Sequence, residues 1–280
     1  MTLLGAAQIR ELAAALDLKP SKSLGQNFVI DSNVCTKIVR TAAVGPTDIA
    51  LEIGPGLGSL TLALLDSAAS VVAVEIDSRL AGQLPITVAN LFEHPENLTV
   101  LNQDALSIQS LPVNPTVLVA NLPYNVSVPV LLHLLEKFES LRTGVVMVQA
   151  EVADRLAAKP GTKEYGIPSV KAAWWAEVKG AGSVSRSVFW PAPNVDSKLV
   201  SFTRRQTPGD EVLRRKVFTI IDAAFAQRRK MLRSALSGLY GSSSAAEQIL
   251  KRADIDPTLR GEALEISSFC AIAAVAPDIF

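Results

Sequence analysis

"DIALEIGPGLGSLTLALLDS", residues 48–67, decides how this chain folds. Its first seven residues, "DIALEIG", read as a short apolar strand, and "GSLTLALLDS" (58–67) reads as a helical stretch. Between them Gly54, Gly56 and Gly58 let the backbone turn sharply and leave room for a ligand to lie against it, while Pro55 stiffens the turn. A dinucleotide fingerprint would place glycine at 59, where this chain has Ser59. The loop alone therefore fits a mere tight turn as well as a ligand site.

The same alternation extends in both directions. "SVVAVEID" (70–77), "LTVLN" (98–102), "PTVLVAN" (115–121) and "TGVVMVQ" (143–149) are short β-branched runs, and "VPVLLHLLEKF" (128–138) reads as a helix with Pro129 in its first turn. This order predicts an α/β fold, a mostly parallel sheet with helices on both faces. "SKLVSFTRR" (197–205) reads as a last strand, antiparallel to the rest, and residues 1–45 as two helices joined by "KPSKSLGQNFVIDSN". Beyond Arg205 only helical spacing remains, in Phe218, Ile221 and Phe225, in Leu232, Leu236 and Leu239, and in the Ser-capped "GSSSAAEQILKRADI". "QTPG" (206–209) breaks the chain, so the expected domains are 1–205 and a small all-α domain over 206–280.

With 280 residues, 49% of them hydrophobic, the chain can build one large core or a large and a small one. No apolar run reaches the roughly 18 residues needed to cross a bilayer. The amino terminus, "MTLLGAAQIRELAAAL", carries Glu11 and helical spacing, not a signal-peptide layout, so a cytoplasmic protein away from membranes is expected. Cys35 and Cys270 lie far apart with no partner at metal-ligand spacing and read as reduced, packed thiols, with no metal expected. The 27 basic and 27 acidic residues cancel, yet Arg204–Arg233 holds nine basic residues against three acidic ones. A face for a polyanion and an ordinary solvated helix surface both account for that excess.

Three acceptors fall at the carboxyl ends of strands, where open sheets bind ligands. Glu75 ends the second strand 21 residues past Gly54, the place of an acid that accepts from a ribose diol. Asp104 in "NQDAL" follows the third, where it can accept from an adenine amine or simply cap a turn. Together with the glycine loop they predict an adenosine-containing cofactor; no Walker lysine supports a P-loop. "NLPY" (121–124) follows the fourth strand into the same cleft. An adenine amine is a poor nucleophile because its lone pair is delocalised into the ring. Accepting its protons at the Asn121 oxygen and the Leu122 carbonyl, the latter held by rigid Pro123, would push the nitrogen toward tetrahedral geometry, with Tyr124 a face for the unstacked base. Positioning carries this chemistry, because a sulfonium-borne methyl needs no strong general base.

"GQNFVID", "LEIGPGLGSLT", "VEID", "QDAL", "NLPYN", "VFWPAPNVDSKLV" and "AFAQRRKML" occur in the order and spacing of one known family. The chain resembles, over nearly its whole length, the ribosomal RNA adenine dimethyltransferases of the KsgA (RsmA) family. The resemblance implies a Rossmann-like class I methyltransferase with a helical carboxy-terminal domain that contacts rRNA. It implies transfer of methyl groups from S-adenosylmethionine to two adjacent adenines in a hairpin loop near the 3' end of small-subunit rRNA, two on each, on the immature small ribosomal subunit. It further implies Asn27, Val29, Gly54, Gly56, Glu75, Asp104 and Asn121 as cofactor contacts and Leu122, Pro123 and Tyr124 as the target-base pocket. Phe189 would be the second wall clasping the base against Tyr124, and Arg228, Arg229 and Lys230 would contact rRNA. Core packing is the alternative for Phe189, and bracing within the protein is the alternative for part of the basic run.

Other readings stay open. The macrolide-resistance methyltransferases share the fold and chemistry but act on large-subunit rRNA. An amine methyltransferase for DNA adenine or protein glutamine usually has a second proline where this chain has Leu122. An assembly factor whose binding outweighs its catalysis would use the same residues. A monomer is the expectation for oligomeric state. Trp174 and Trp175 read as core, and His94 and His133 have no acid or nucleophile at a spacing that suggests a pair.

Overall fold

A computed structural model describes residues 3–18 and 26–277. Nine strands are present among them: β1 (Phe28–Val29), β2 (Ile49–Ile53), β3 (Ser70–Glu75), β4 (Leu98–Asn102), β5 (Val117–Asn121), β6 (Thr143–Gln149), β7 (Ala176–Val184), β8 (Phe189–Trp190) and β9 (Ser197–Arg204). Seven of them form one sheet in the order β4-β3-β2-β5-β6-β9-β7, and β1 with β8 forms a separate two-stranded antiparallel pair. β4, β3, β2, β5 and β6 run parallel, and β9 lies antiparallel to β6 with Gln149 opposite Ser197. The expected α/β sheet and its antiparallel return strand are both present.

Burial explains the composition of the parallel strands. Val71, Val72, Ala73 and Val74 of β3 and Leu118, Val119 and Ala120 of β5 are all buried, as strands covered on both faces must be. The helix Ser59–Leu65 is buried along its whole length, which is why its sequence is apolar all round. Leu62 and Leu64 are fully enclosed, each worth about 1.5–3 kcal/mol relative to exposure. The last strand ends in Arg204, whose guanidinium donates to the carbonyls of Leu135, Phe138 and Leu141 at 2.6–2.9 Å. A cation there closes the carboxyl end of the helix Ser127–Lys137, where unpaired carbonyls collect negative partial charge.

Two compact units emerge. One comprises residues 1–153 with 179–204; the other comprises 154–178 with 205–280. The expected single domain over 1–205 thus differs for residues 154–178, which pack with the helices that follow Arg205. Their aromatic side chains show why: Trp174 and Trp175, buried, meet Phe218 edge-on at 6.2 and 5.5 Å, and the Tyr165 hydroxyl donates to the Leu264 carbonyl at 2.8 Å. In the second unit the helices span Ile167–Ala172 and, beyond Arg205, Glu211–Ala226, Leu232–Ala235, Ser237–Tyr240, Ser243–Arg252 and Ile266–Val275, and Ser242 caps Ser243–Arg252 by accepting from the Ala245 N–H. Cys35 is buried and Cys270 half-buried, both as free thiols. No helix among the described residues is long and apolar enough to cross a membrane.

Candidate active site

Sheet order places the site. β2 sits between β3 and β5, so the chain reverses direction of travel across the sheet at this point and leaves a crevice beyond the strands' carboxyl ends. A cleft of about 280 Å³ opens there, and Asn27, Val29, Gly54, Gly56, Glu75, Asp104, Asn121 and Pro123 all line it. Seven residues expected to touch a cofactor, from five separate segments, thus converge on one cavity.

The glycine loop is shaped for close approach. Gly54, Gly56 and Gly58 have φ of 67°, 58° and 98°, in the left-handed region that only glycine enters freely. A β-carbon on Gly56 would also lie 2.9 Å from the Phe28 ring. Phe28 belongs to a strap, residues 26–30, that crosses the crevice, pairs with β8 and is held by three side-chain hydrogen bonds. Gln26 Nε2 donates to Asp77 Oδ2 at 3.3 Å, Asn121 Nδ2 to the Asn27 carbonyl at 3.0 Å, and Ser59 Oγ to the Val29 carbonyl at 2.7 Å. The departure from the dinucleotide fingerprint has its reason here, since glycine at 59 would leave the Val29 carbonyl without its donor. Residues 19–25, the rest of the expected linker, lie outside the described residues.

Glu75 is buried, and both its oxygens serve the loop: Oε2 accepts from the Gly56 N–H at 3.1 Å and Oε1 from the Asp77 N–H at 2.9 Å. Burial raises its pKa, and the two N–H donors oppose that rise. Glu75 also lines the cleft, where a carboxylate can accept from a vicinal diol. Asp104 does both things the sequence allowed: Oδ1 caps the following turn by accepting from the Leu106 N–H at 2.9 Å, and the residue, exposed, still lines the cleft.

Sequence reasoning missed Glu52. It lines the cleft, is 1% exposed, and accepts at Oε2 from the Thr61 hydroxyl at 2.6 Å. Burial, aided by the charge on Glu75 and opposed by the Thr61 bond, pushes its carboxyl up to about 8. The alternation of β2 gave the signal: a carboxylate inside a strand buried on both faces has no water to turn to. The folded chain keeps a proton on Glu52 at pH values where the unfolded chain has lost it, so stability falls as pH rises from 4.5 toward 8. Glu52→Gln, which preserves an acceptor for Thr61, will flatten that loss, as denaturant titrations at a series of pH values across this window will read.

Around "NLPY" the amide geometry is specific. Asn121 ends β5, and a carbonyl partner at Asn27 can be met only by its NH2 group, so Oδ1 is the atom left to accept. The Leu122 side chain is buried and its N–H donates to the Met147 carbonyl at 3.1 Å; its own carbonyl has no donor among the described residues. The Pro123 carbonyl accepts from the Val126 N–H at 3.2 Å, closing a turn with Tyr124 and Asn125 at its centre. Tyr124 is half-buried and its hydroxyl is 2.7 Å from Ser197 Oγ. It stands beside the cleft lining, not on it.

Phe189 does not share this placement. It is 3% exposed, pairs with Val29 in the β1–β8 ribbon and belongs to the apolar core, so it offers no open face on which a base could stack. Arg228, Arg229 and Lys230 lie in the second unit. There Arg228 is already engaged, donating to Glu262 Oε2 at 2.7 Å and to the Lys163 carbonyl at 2.6 Å, whereas the exposed side chains of Arg229 and Lys230 have no recorded partner among the described residues. His133 is bonded to the Ile108 carbonyl and His94 to Glu96, so neither enters the site. No group of three or more His, Cys, Asp or Glu among the described residues could hold a metal ion.

Comparison with known proteins agrees with this geometry. The "Ribosomal RNA adenine dimethylase" family model matches residues 18–277. The ribosomal RNA small subunit methyltransferase A of Streptomyces avermitilis is 59% identical over 274 residues, covering 97% of this chain and 93% of that one. The fold matches a dimethyladenosine transferase from Plasmodium falciparum with a TM-score of 0.73 at 24% identity, over 88% of this chain and 95% of that one. It also matches the 23S rRNA methyltransferase ErmE with a TM-score of 0.66 at 25% identity, over 89% of this chain and 99% of that one. A cleft at the sheet's switch point, an acceptor amide above it and a family model spanning both compact units have one common explanation: this chain belongs to the ribosomal RNA adenine dimethylase family.

Proposed function

We propose that this chain transfers methyl groups from S-adenosylmethionine to the exocyclic amines of two adjacent adenines in a hairpin loop near the 3' end of small-subunit rRNA, two on each, during ribosome biogenesis in the cytoplasm. The observation that carries the reading is Asn121, which lines the cleft and whose NH2 is spent on the Asn27 carbonyl, leaving its oxygen as the atom free to accept. The bound donor would supply an electrophilic methyl on a sulfonium. The glycine loop, Glu75 and Asp104 fit its nucleoside: positive-φ glycines leave the backbone open, the Glu75 carboxylate lining the cleft would accept from a diol, and Asp104 sits at the sheet edge beyond β4. Asn121 Oδ1 and the Leu122 carbonyl accept the amine protons, directing the nitrogen lone pair at the methyl. Pro123 fixes the backbone between that carbonyl and Tyr124, which supports the flipped base.

The 59% identity to a chain named for the small subunit, against 25% to the large-subunit enzyme ErmE, favours the small subunit as substrate. Labelled S-adenosylmethionine incubated with unmethylated small and large subunits tests this: label in the small subunit is expected, and label confined to the large subunit would overturn it.

For rRNA contact the unengaged cations matter. Arg229→Glu and Lys230→Glu are expected to weaken binding of small-subunit RNA and to lower the slope of log K against log salt by about 1 per lost phosphate contact. Arg228→Ala is expected to leave that slope unchanged and to lower thermal stability, because its fork holds Glu262 and Lys163 together. Binding isotherms over a salt series separate the two outcomes.

A further inference from the structure

Ser197 is 0% exposed, and a hydroxyl enclosed to that degree costs free energy unless it is hydrogen-bonded. Its one recorded side-chain partner among the described residues is the Tyr124 hydroxyl, at 2.7 Å. The main chain around Ser197 is itself held by the sheet: Ser197 is paired with Gln149 at the start of β9, and the Ala150 N–H donates to the Asp196 carbonyl at 2.8 Å. β6, the strand that positions it, also receives the Leu122 N–H at Met147. The atom that pins Tyr124, on β9, and the atom that pins Leu122, on β6, thus lie on neighbouring paired strands.

We propose that Ser197 is a positioning residue for methyl transfer, its hydroxyl locking the Tyr124 ring in the attitude that presents the target adenine to Asn121 and the Leu122 carbonyl. The proposal rests on the rRNA adenine reading above. A tyrosine turned about two side-chain dihedrals is a poor platform unless its far end is fixed. Here the fixing point is a buried hydroxyl at the start of a strand that is paired within the sheet. The lock matters most after the first methyl has been added, when the same nitrogen must be presented again in a bulkier form. Loosening it should release singly methylated adenine.

Ser197→Ala, Tyr124→Phe and the double variant, each in the full chain, can be assayed with labelled S-adenosylmethionine on unmethylated small subunits. Each single variant is expected to lower kcat about threefold to tenfold, the loss of one hydrogen bond. KM for the subunit and affinity for S-adenosylmethionine should stay within about twofold, because Ser197 is not part of the cleft lining and the phosphate contacts are untouched. The double variant should be no worse than either single one, and the ratio of monomethyl to dimethyl adenine should rise in all three. Wild-type kcat and product ratio in Ser197→Ala, or losses that multiply in the double variant, would overturn the proposal. Should Ser197→Ala fail to fold, Tyr124→Phe removes the same bond from the half-exposed partner, and wild-type kinetics there would overturn it equally. An unaltered chain that leaves small subunits unlabelled overturns the rRNA reading and this proposal together, whereas labelling by the unaltered chain isolates Ser197.

Discussion

Asn121→Ala will lower methyl transfer at least about a hundredfold, the scale on which a single preorganised hydrogen-bonding group aimed at a reacting centre acts. The substitution removes the Oδ1 acceptor and also the Nδ2 donor to the Asn27 carbonyl, loosening one of the side-chain hydrogen bonds that hold the strap. Asn121→Asp is the sharper test. It keeps the size and supplies two acceptor oxygens, yet it cannot donate to Asn27, so a carboxylate would face a carbonyl where the chain has a hydrogen bond. Its activity should fall nearly as far as that of the alanine variant, even though an acceptor for the adenine amine is nominally present. Single-turnover rates with labelled donor measure both; an aspartate variant close to wild type would show that amide orientation is irrelevant. Association of either variant with immature small subunits should persist, since the altered atoms lie inside the cleft and not on a charged surface, and sedimentation with those subunits checks it.

What could be read from the sequence followed strength of periodicity. The five parallel strands are β-branched runs bounded by turn residues, and β9 shows its alternation clearly, so these were legible. β7 was not: "AEVKGAGSV" has two glycines and few large apolar side chains because it lies at the sheet's edge, largely exposed, where burial imposes no pattern. The two-residue strands β1 and β8 were invisible for a different reason, since their pairing joins residues about 160 positions apart and local pattern carries no trace of it. Residues 154–178 look like more of the α/β domain because nothing in that segment announces that Trp174 and Trp175 pack on Phe218. In the site, residue types with a chemical signature were found and residues that act on other residues were not. Glycines with positive φ, Glu75 and Asn121 are conspicuous in sequence; Glu52, Ser59 and Ser197 stand out only through their partners at Thr61, Val29 and Tyr124.

The dual duty of Glu75 makes its amide variant unexpectedly damaging. Glu75→Gln is ordinarily a mild change, since shape is retained and one acceptor survives. At this position both oxygens already accept a backbone N–H, one from Gly56 and one from Asp77. A glutamine has a single oxygen, so in either orientation its NH2 group meets one of those N–H groups, donor against donor, in a buried setting. The loop must then open at Gly56 or at Asp77. If Gly56 yields, its neighbour Phe28 loses the close seat that holds the strap, and if Asp77 yields, the tie to Gln26 goes with it. On the proposed function the variant also loses an acceptor for the cofactor's ribose. Two charge-assisted hydrogen bonds at about 1.5–3 kcal/mol each make the expected loss of S-adenosylmethionine affinity about a hundredfold or more. Calorimetric titration with the donor reads it directly, alongside a lower Tm. A glutamine variant that binds within a few fold of wild type would mean that the Glu75 carboxylate supports only the loop and that the ribose is held elsewhere. Comparing Glu75→Gln with Glu75→Ala then tells clash from lost contact, because alanine removes the acceptors without placing a donor against Gly56 or Asp77.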